Sequence, residues 1–239
     1  MTAPATVPLV VGHRGAAAHA PENTLAAFRR ALEDGAQTLE CDVHLSRDGH
    51  VVVMHDESID RTAVADSPLR TGAIADLTRE QLDTVLLEGG EKVPSLEELL
   101  ALTTVPVFIE VKAASAAAAV AEQLLALPAG SPAAASTVIS FHPEALAEIR
   151  RSVPQVPVSY LVGAIDEEAL RVAGELGAAG IGPAVDGLSL AATRAAHEAG
   201  LRVNPWTINT PAQLAVVRAC EVDTITTDDP AWVRAQLAR

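Results

Sequence analysis

Eight short segments rich in Val and Ile alternate with longer Ala-, Leu-, Glu- and Arg-rich segments of helical period along 239 residues. That alternation, a length natural for one α/β barrel, and the lack of a glycine-rich loop after the first strand predict a closed parallel (β/α)8 TIM barrel. An open doubly wound sheet is the alternative, and it would usually carry such a loop. GAAGIG (177–182) comes late in the chain and does not fit that fingerprint.

The strand candidates, in order, are VPLVVGH (7–13), TLECDVHL (38–45), VFIEVK (107–112), STVISF (136–141), VPVSYLV (156–162), GIGP (180–183), LRVNPW (201–206) and DTITTD (223–228). The first helix is predicted over 23–35, where Leu25, Phe28, Ala31 and Leu32 share a face, with Asn23 as N-cap and Gly35 at the C-terminal end. Further helices fit 115–127, 143–151, 166–176, 189–199, 211–218 and 230–238, the last opened by TDDP (227–230) with Asp228 or Asp229 as cap and Pro230 in its first turn. Residues 46–105 break the rhythm. They hold VVVMHD (51–56), a polar stretch with Pro68 and Gly72, and two short helix candidates near 77–87 and 95–103, more than a β-to-β crossover needs. The expectation is one domain over 1–239, with a small insertion at about 57–95 after the second strand region, lying over the top of the barrel.

Apolar residues make up 49% of the chain, charged residues 20% and aromatics 3%, so the core is expected to be aliphatic and the outer layer Ala-rich helix. A net charge of −14 argues against nucleic acid and anionic membrane surfaces as partners, because no basic stripe is there to release counterions. An anionic substrate would then need a metal ion or a few placed cations. Cys41 and Cys220 are expected to be reduced thiols of a cytoplasmic protein. No apolar run reaches the roughly 20 residues of a membrane span, and the N-terminal stretch has no basic region or separate apolar segment of a leader.

Charges inside the strands carry the chemistry. Residues two apart on a strand point the same way, so Glu40 projects with Asp42, and Glu110 with Lys112, out of otherwise apolar contexts. Buried carboxylates are costly without compensation. Two readings meet that need: buried ion pairs such as Glu110 with Arg14 or Glu40 with Lys112, or Glu40, Asp42 and Glu110 together on one hard divalent cation, for which oxygen ligands favour magnesium, calcium or manganese over zinc. His13 and Arg14 end the first strand, and His55 and Asp56 end VVVMHD, at what should be the active-site face of a barrel. Two histidines there can divide acid and base roles, a cation can offset charge on phosphate oxygens, and Arg14 and Lys112 add positive charge beside it. Phosphodiester cleavage asks for this set of parts. His44 is expected to be a packing or solvent residue; Ser140 and Phe141 are pocket-lining candidates.

The same residues resemble a known family. HRG (13–15), PENT (21–24), ECDVHLSRDGHVVVMHD (40–56), VPSLEELL (93–100), IEVK (109–112), NPWTIN (204–209) and TDDP (227–230) resemble, in order and through the whole chain, the glycerophosphodiester phosphodiesterase family. The resemblance implies hydrolysis of small glycerophosphodiesters, such as glycerophosphocholine or glycerophosphoethanolamine, to glycerol 3-phosphate and an alcohol. It implies His13 and His55 as the acid–base pair, and Glu40, Asp42 and Glu110 as ligands of one divalent cation, Mg2+ or Ca2+ with Mn2+ also accepted. It places Arg14 and Lys112 near the phosphate and Trp206 on the glycerol side of the pocket. The inserted segment offers no aromatic platform for a choline or a lipid chain, which favours small, water-soluble diesters. Rival expectations are a relative acting on lysophospholipids, a non-catalytic binding module on the same barrel, and a metal-dependent aldolase or isomerase, which would have no obvious need of the two histidines.

Overall fold

The computed structural model describes residues 7–238. Eight parallel strands form the barrel: β1 (Leu9–Gly12), β2 (Thr38–Leu45), β4 (Val107–Val111), β5 (Thr137–Ser140), β6 (Val158–Val162), β7 (Gly180–Pro183), β8 (Arg202–Val203) and β9 (Thr224–Thr227), while β3 (Val51–Val53) pairs antiparallel with β2. The order runs β8-β7-β6-β5-β4-β2-β1-β9. Backbone bonds close the ring between the β8 segment and β9: Asp223 N–H to Val203 O at 3.0 Å, Thr226 N–H to Pro205 O at 3.4 Å and Ile208 N–H to Thr226 O at 2.8 Å. Strand β8 is shorter than the sequence predicts over 201–206, because Pro205 has no N–H to give a ladder. The chain nonetheless stays extended, with Asn204 and Trp206 donating to Ile181 O and Pro183 O.

Helices α1 (Leu25–Glu33), α4 (Ala117–Leu125), α5 (Pro143–Ser152), α6 (Glu167–Glu175), α7 (Leu190–Glu198), α8 (Pro211–Ala219) and α9 (Pro230–Leu237) follow the barrel strands, as the helical periods predict. Short α2 (Arg79–Asp83) and α3 (Leu96–Leu102) belong to the interval between β3 and β4, and each opens on a capping box, Thr78 with Gln81 and Ser95 with Glu98. The α1 cap departs from expectation. Thr24 accepts from Ala27 N–H, while Asn23 lies in the left-handed region (φ 57°) and turns inward. Asp229 caps α9 by accepting from Trp232 N–H, which leaves Asp228 for another task.

Strand alternation sorts the core. On β2 and β4, Leu39, Cys41, Val43, Val107, Ile109 and Val111 face outward into a cluster with Phe28, Ala31, Leu96 and Leu99 of the helices. A second cluster backs β6 to β9 with Ile181, Val203, Leu214, Ile225 and Val233. The inserted segment packs on its own small core of Val52, Met54, Ile59, Ile74, Leu77, Leu82, Val85, Leu87 and Val93. Among the described residues no helix is long and apolar enough to cross a membrane. The reading of the chain's first residues as lacking a leader rests on residues 1–6, which lie outside the described residues.

Candidate active site

The outward alternation of β2 and β4 sends Glu40, Asp42 and Glu110 to the barrel interior. Asp42 stands opposite Glu110 in the parallel register. One carboxylate oxygen from each of the three lies within 4.8 Å of the others, with Glu40 3% and Asp42 1% exposed. Lys112 Nζ sits 2.7 Å from Glu110 Oε1 and 3.4 Å from Asp42 Oδ1, and Arg14 Nε lies 3.2 Å from Asp42 Oδ2. Asn23 Nδ2 donates to Asp42 Oδ2 at 2.8 Å, and Arg14 N–H donates to Glu40 Oε2 at 2.8 Å. The ion pairs therefore differ from the sequence examples: Lys112 serves Glu110 and Asp42, and Arg14 reaches Asp42 and Glu22.

Two cations face three carboxylates, two of them buried, and ionising all three would leave an excess of negative charge. Burial and the neighbouring Asp42 charge push the Glu40 carboxyl up to about 8, and the same two causes raise Glu110. Burial alone would lower the Lys112 ammonium, yet Asp42 and Glu110 hold it above its usual range. A buried, all-oxygen, surplus-negative donor set suits a hard divalent cation.

Each histidine at the mouth leans on a carboxylate through Nδ1. His13 Nδ1 lies 2.6 Å from Asp228 Oδ1, and His55 Nδ1 lies 2.7 Å from Asp56 Oδ1. An ionised carboxylate only accepts, so Nδ1 carries the proton and Nε2 is left for chemistry. Burial opposes charge on His13, but the bond to Asp228 and the Glu40 charge raise its pKa. Burial would likewise raise Asp228, and the His13 bond overcomes it. Asn209 fixes Asp228 in turn, giving Nδ2–H to Oδ2 at 2.6 Å and accepting Asp228 N–H at 2.9 Å. Arg61 holds Asp56, whose carboxyl that guanidinium lowers to about 2.

A cavity of about 130 Å³ joins these parts; His13, Arg14, Glu40, His55, Glu110 and Lys112 line one side of it. Ile139, Phe141, Leu161 and Trp206 line the other, with Phe108, the register partner of Glu40, and Ser159, Asn204 and Thr226 completing the wall. Phe141 and Trp206 meet edge to face, ring centroids 5.5 Å apart at 86°, and Trp206 Nε1–H donates to Gly182 O at 2.9 Å. Gly15 makes the approach of the first loop possible. Its φ is +87°, and an added Cβ would stand 2.5 Å from the Ala27 backbone.

The family model for the glycerophosphoryl diester phosphodiesterase family matches residues 13–232. The chain belongs to that family. It is 31% identical to a glycerophosphodiester phosphodiesterase of Caldanaerobacter subterraneus subsp. tengcongensis, over 93% of this chain and 94% of the relative. Among solved structures it is similar to a phosphodiesterase of Oleispira antarctica in complex with the product sn-glycerol-3-phosphate (TM-score 0.88, 25% identity, 98% of each chain). It is also similar to a glycerophosphodiester phosphodiesterase of Thermotoga maritima (TM-score 0.78, 28% identity, 96% and 98% covered). Its activity is accordingly that of a glycerophosphodiester phosphodiesterase, a phosphoric diester hydrolase.

In this phosphodiesterase, eight of the residues singled out from the sequence line the same cavity: His13, Arg14, Glu40, His55, Glu110, Lys112, Phe141 and Trp206. Asp42 lies just behind them, on Arg14, Lys112 and Asn23. Phe141 is in the wall, but Ser140 is not; its buried hydroxyl donates to Val111 O at 2.6 Å and accepts His142 N–H, tying β4 to β5. His44 is more than packing. Its Nε2 donates to His55 O at 3.1 Å and so helps place the next residues of the chain, while burial lowers its pKa. Asp56, Asp228, Asn209, Asn23, Glu22 and Arg61 are the supporting residues that sequence reasoning gave no such part. The adjacency of His55 and Asp56 was a readable signal; the others become neighbours only through folding.

Proposed function

We propose that the enzyme hydrolyses small glycerophosphodiesters, such as glycerophosphocholine and glycerophosphoethanolamine, to glycerol 3-phosphate and the free alcohol. The chain would act as one barrel domain over 1–239, with 57–95 as an insertion, and in the cytoplasm, where its buried and unpaired Cys41 and Cys220 suit a reducing setting. The strongest support is one juxtaposition: two histidines, each with Nδ1 held by a carboxylate, facing a cavity floored by a buried three-carboxylate cluster. The Oleispira antarctica neighbour, bound to sn-glycerol-3-phosphate, supports the product assignment.

Glu40, Asp42 and Glu110 would hold one divalent cation, magnesium or calcium, with manganese also acceptable to the donor set. When bound, that cation supplies positive charge to the non-bridging phosphate oxygens. Arg14 and Lys112, already at the cluster, would turn donors toward the same phosphate. Phe141 and Trp206 would receive the carbon face of the glycerol. One histidine Nε2 takes the proton of the attacking hydroxyl as the new O–P bond forms. The Nε2–H of the other gives a proton to the alcohol oxygen as its bond to phosphorus breaks. The attacking hydroxyl is water, or the glycerol hydroxyl on the way to a cyclic phosphate; both use these residues.

The test is turnover of glycerophosphocholine by metal-stripped protein, coupled to glycerol 3-phosphate detection, before and after magnesium or calcium is added. His13→Ala and His55→Ala variants run alongside. Activity restored by metal and reduced by about 10²-fold or more in both variants is expected. Turnover indifferent to chelation, or to either histidine change, would sink the assignment.

A further inference from the structure

Arg61 stands outside the reaction cavity, on the inserted segment, with 49% of its side chain exposed, yet its guanidinium makes four hydrogen bonds to two carboxylates. Nε donates to Asp56 Oδ2 at 2.6 Å and Nη2 to Asp56 Oδ1 at 3.2 Å. The same Nη2 donates to Glu22 Oε1 at 2.6 Å, and Nη1 to Glu22 Oε2 at 3.1 Å. Two bidentate grips on two carboxylates use the planar fork of an arginine in a way no lysine can repeat. Beyond those carboxylates lie two site residues. Asp56 Oδ1 is the partner of His55 Nδ1, and Glu22 Oε1 accepts from Arg14 Nη1 at 3.1 Å.

The result is a continuous chain, His55–Asp56–Arg61–Glu22–Arg14, running from the end of the β3 segment to the loop after β1. Exposed ion pairs contribute little to stability, so holding the fold is a poor reason for so exact a fit. Without Arg61, Asp56 would be a partly exposed carboxylate free to rotate away from the imidazole, and Glu22 would rest on Arg14 alone. The loop bearing Arg61 is itself anchored. Ile59 is fully buried in the inserted core, with Ile59 N–H bonded to Gly72 O at 3.1 Å and Gly72 N–H to Asp60 Oδ1 at 2.9 Å. His13 has a different support, a neutral amide from Asn209 behind Asp228, so the two histidines are braced independently.

We infer that Arg61 is a positioning residue for the diesterase reaction: acting through Asp56 and Glu22, it sets the His55 imidazole and the Arg14 guanidinium in register with each other. This rests on the acid–base role proposed for His55. The inserted segment thereby serves catalysis through one exposed side chain, without entering the cavity.

The experiment is steady-state hydrolysis of glycerophosphocholine by the metal-loaded enzyme carrying Arg61→Gln, Arg61→Lys or Arg61→Ala, and by Arg61→Gln combined with His55→Ala. Arg61→Gln should lower kcat about tenfold or more, with KM changed less than about threefold, the scale seen when an outer partner of a site residue is removed. Arg61→Lys should recover only part of the loss, and added guanidinium ion should raise kcat of Arg61→Ala. The thermal midpoint should stay within about 2 °C of wild type, as expected for an exposed pair. In the His55→Ala background the Arg61→Gln cost should shrink to the part carried through Glu22 to Arg14, because both changes break the His55 arm. An equal cost in both backgrounds, no rescue by guanidinium, or a matching fall in thermal midpoint would overturn the inference. If His55→Ala is impaired while Arg61→Gln is fully active, the positioning role alone fails. If His55→Ala is itself fully active, the acid–base reading falls and takes this one with it.

Discussion

The two halves of the barrel mouth are built on opposite terms. The half from β1 to β4 supplies His13, Arg14, Glu40, His55, Glu110 and Lys112, with Asp42 just behind them, and the half from β5 to β8 supplies Ile139, Phe141, Leu161 and Trp206. The charged half cannot stand on packing alone. Every carboxylate there is matched by an N–H or a cation, down to the Asn23 amide on Asp42 and the Arg14 backbone on Glu40. The neutral half needs little more than contact, one edge-to-face ring pair and one indole bond to Gly182. Asp228, just after β9, marks the seam: Asn209, after β8, holds it from one side and His13, after β1, meets it from the other. Charge can be placed accurately only where a polar scaffold surrounds it, and that scaffold is where sequence reading is weakest.

The comparison can be broken most sharply at Glu40. Glu40→Gln keeps the shape and the acceptor for Arg14 N–H but removes the charge, and should cut kcat/KM by about 10³-fold while weakening metal binding. Near-normal turnover in that variant would mean the cluster is structural. Next comes the proton count. With no metal bound, Glu40 keeps its proton up to about pH 8, so a cation must expel it. Metal affinity should therefore rise with pH by about tenfold per unit below that value and flatten above it, with proton release visible by calorimetry in buffers of different ionisation heat. Affinity flat from pH 6 to 8 would reverse the charge argument. The smallest effect belongs to the neutral half. Trp206→Ala should raise KM about tenfold and leave kcat within about threefold, as loss of uniform binding does. A larger fall in kcat than in affinity would show that this wall also shapes the reacting geometry.

Much of the frame was legible before folding. Alternation on β2 and β4 makes a charge inside an apolar strand conspicuous, so Glu40, Asp42 and Glu110 declare themselves two residues apart or opposite a neighbour. Strand ends are equally readable, which is why His13 and His55 stand out. Asp228 misled because a helix start explains an acidic residue just as well, and Asp229 in fact takes that cap. Asn23 misled for the same reason: Thr24 caps α1, and the amide of Asn23 goes to Asp42 instead. Arg61 left little local trace beyond Asp56, five positions before it. Its partner Glu22 lies 39 positions away, and only the fold brings an exposed loop against the first turn of the chain.

The antiparallel pairing of β3 with β2 has a consequence for how this chain can vary in length. The register Val43–Val53, His44–Val52 and Leu45–Val51 is set by the tight turn between them, where Ser46 N–H bonds to His50 O at 2.8 Å and Ser46 Oγ to Asp48 at 2.7 Å. One residue gained or lost in that turn would reverse which way every β3 side chain faces and swing His55 out of the mouth. The eleven positions from His44 to Met54 must therefore be inherited at fixed length in any descendant that keeps this site.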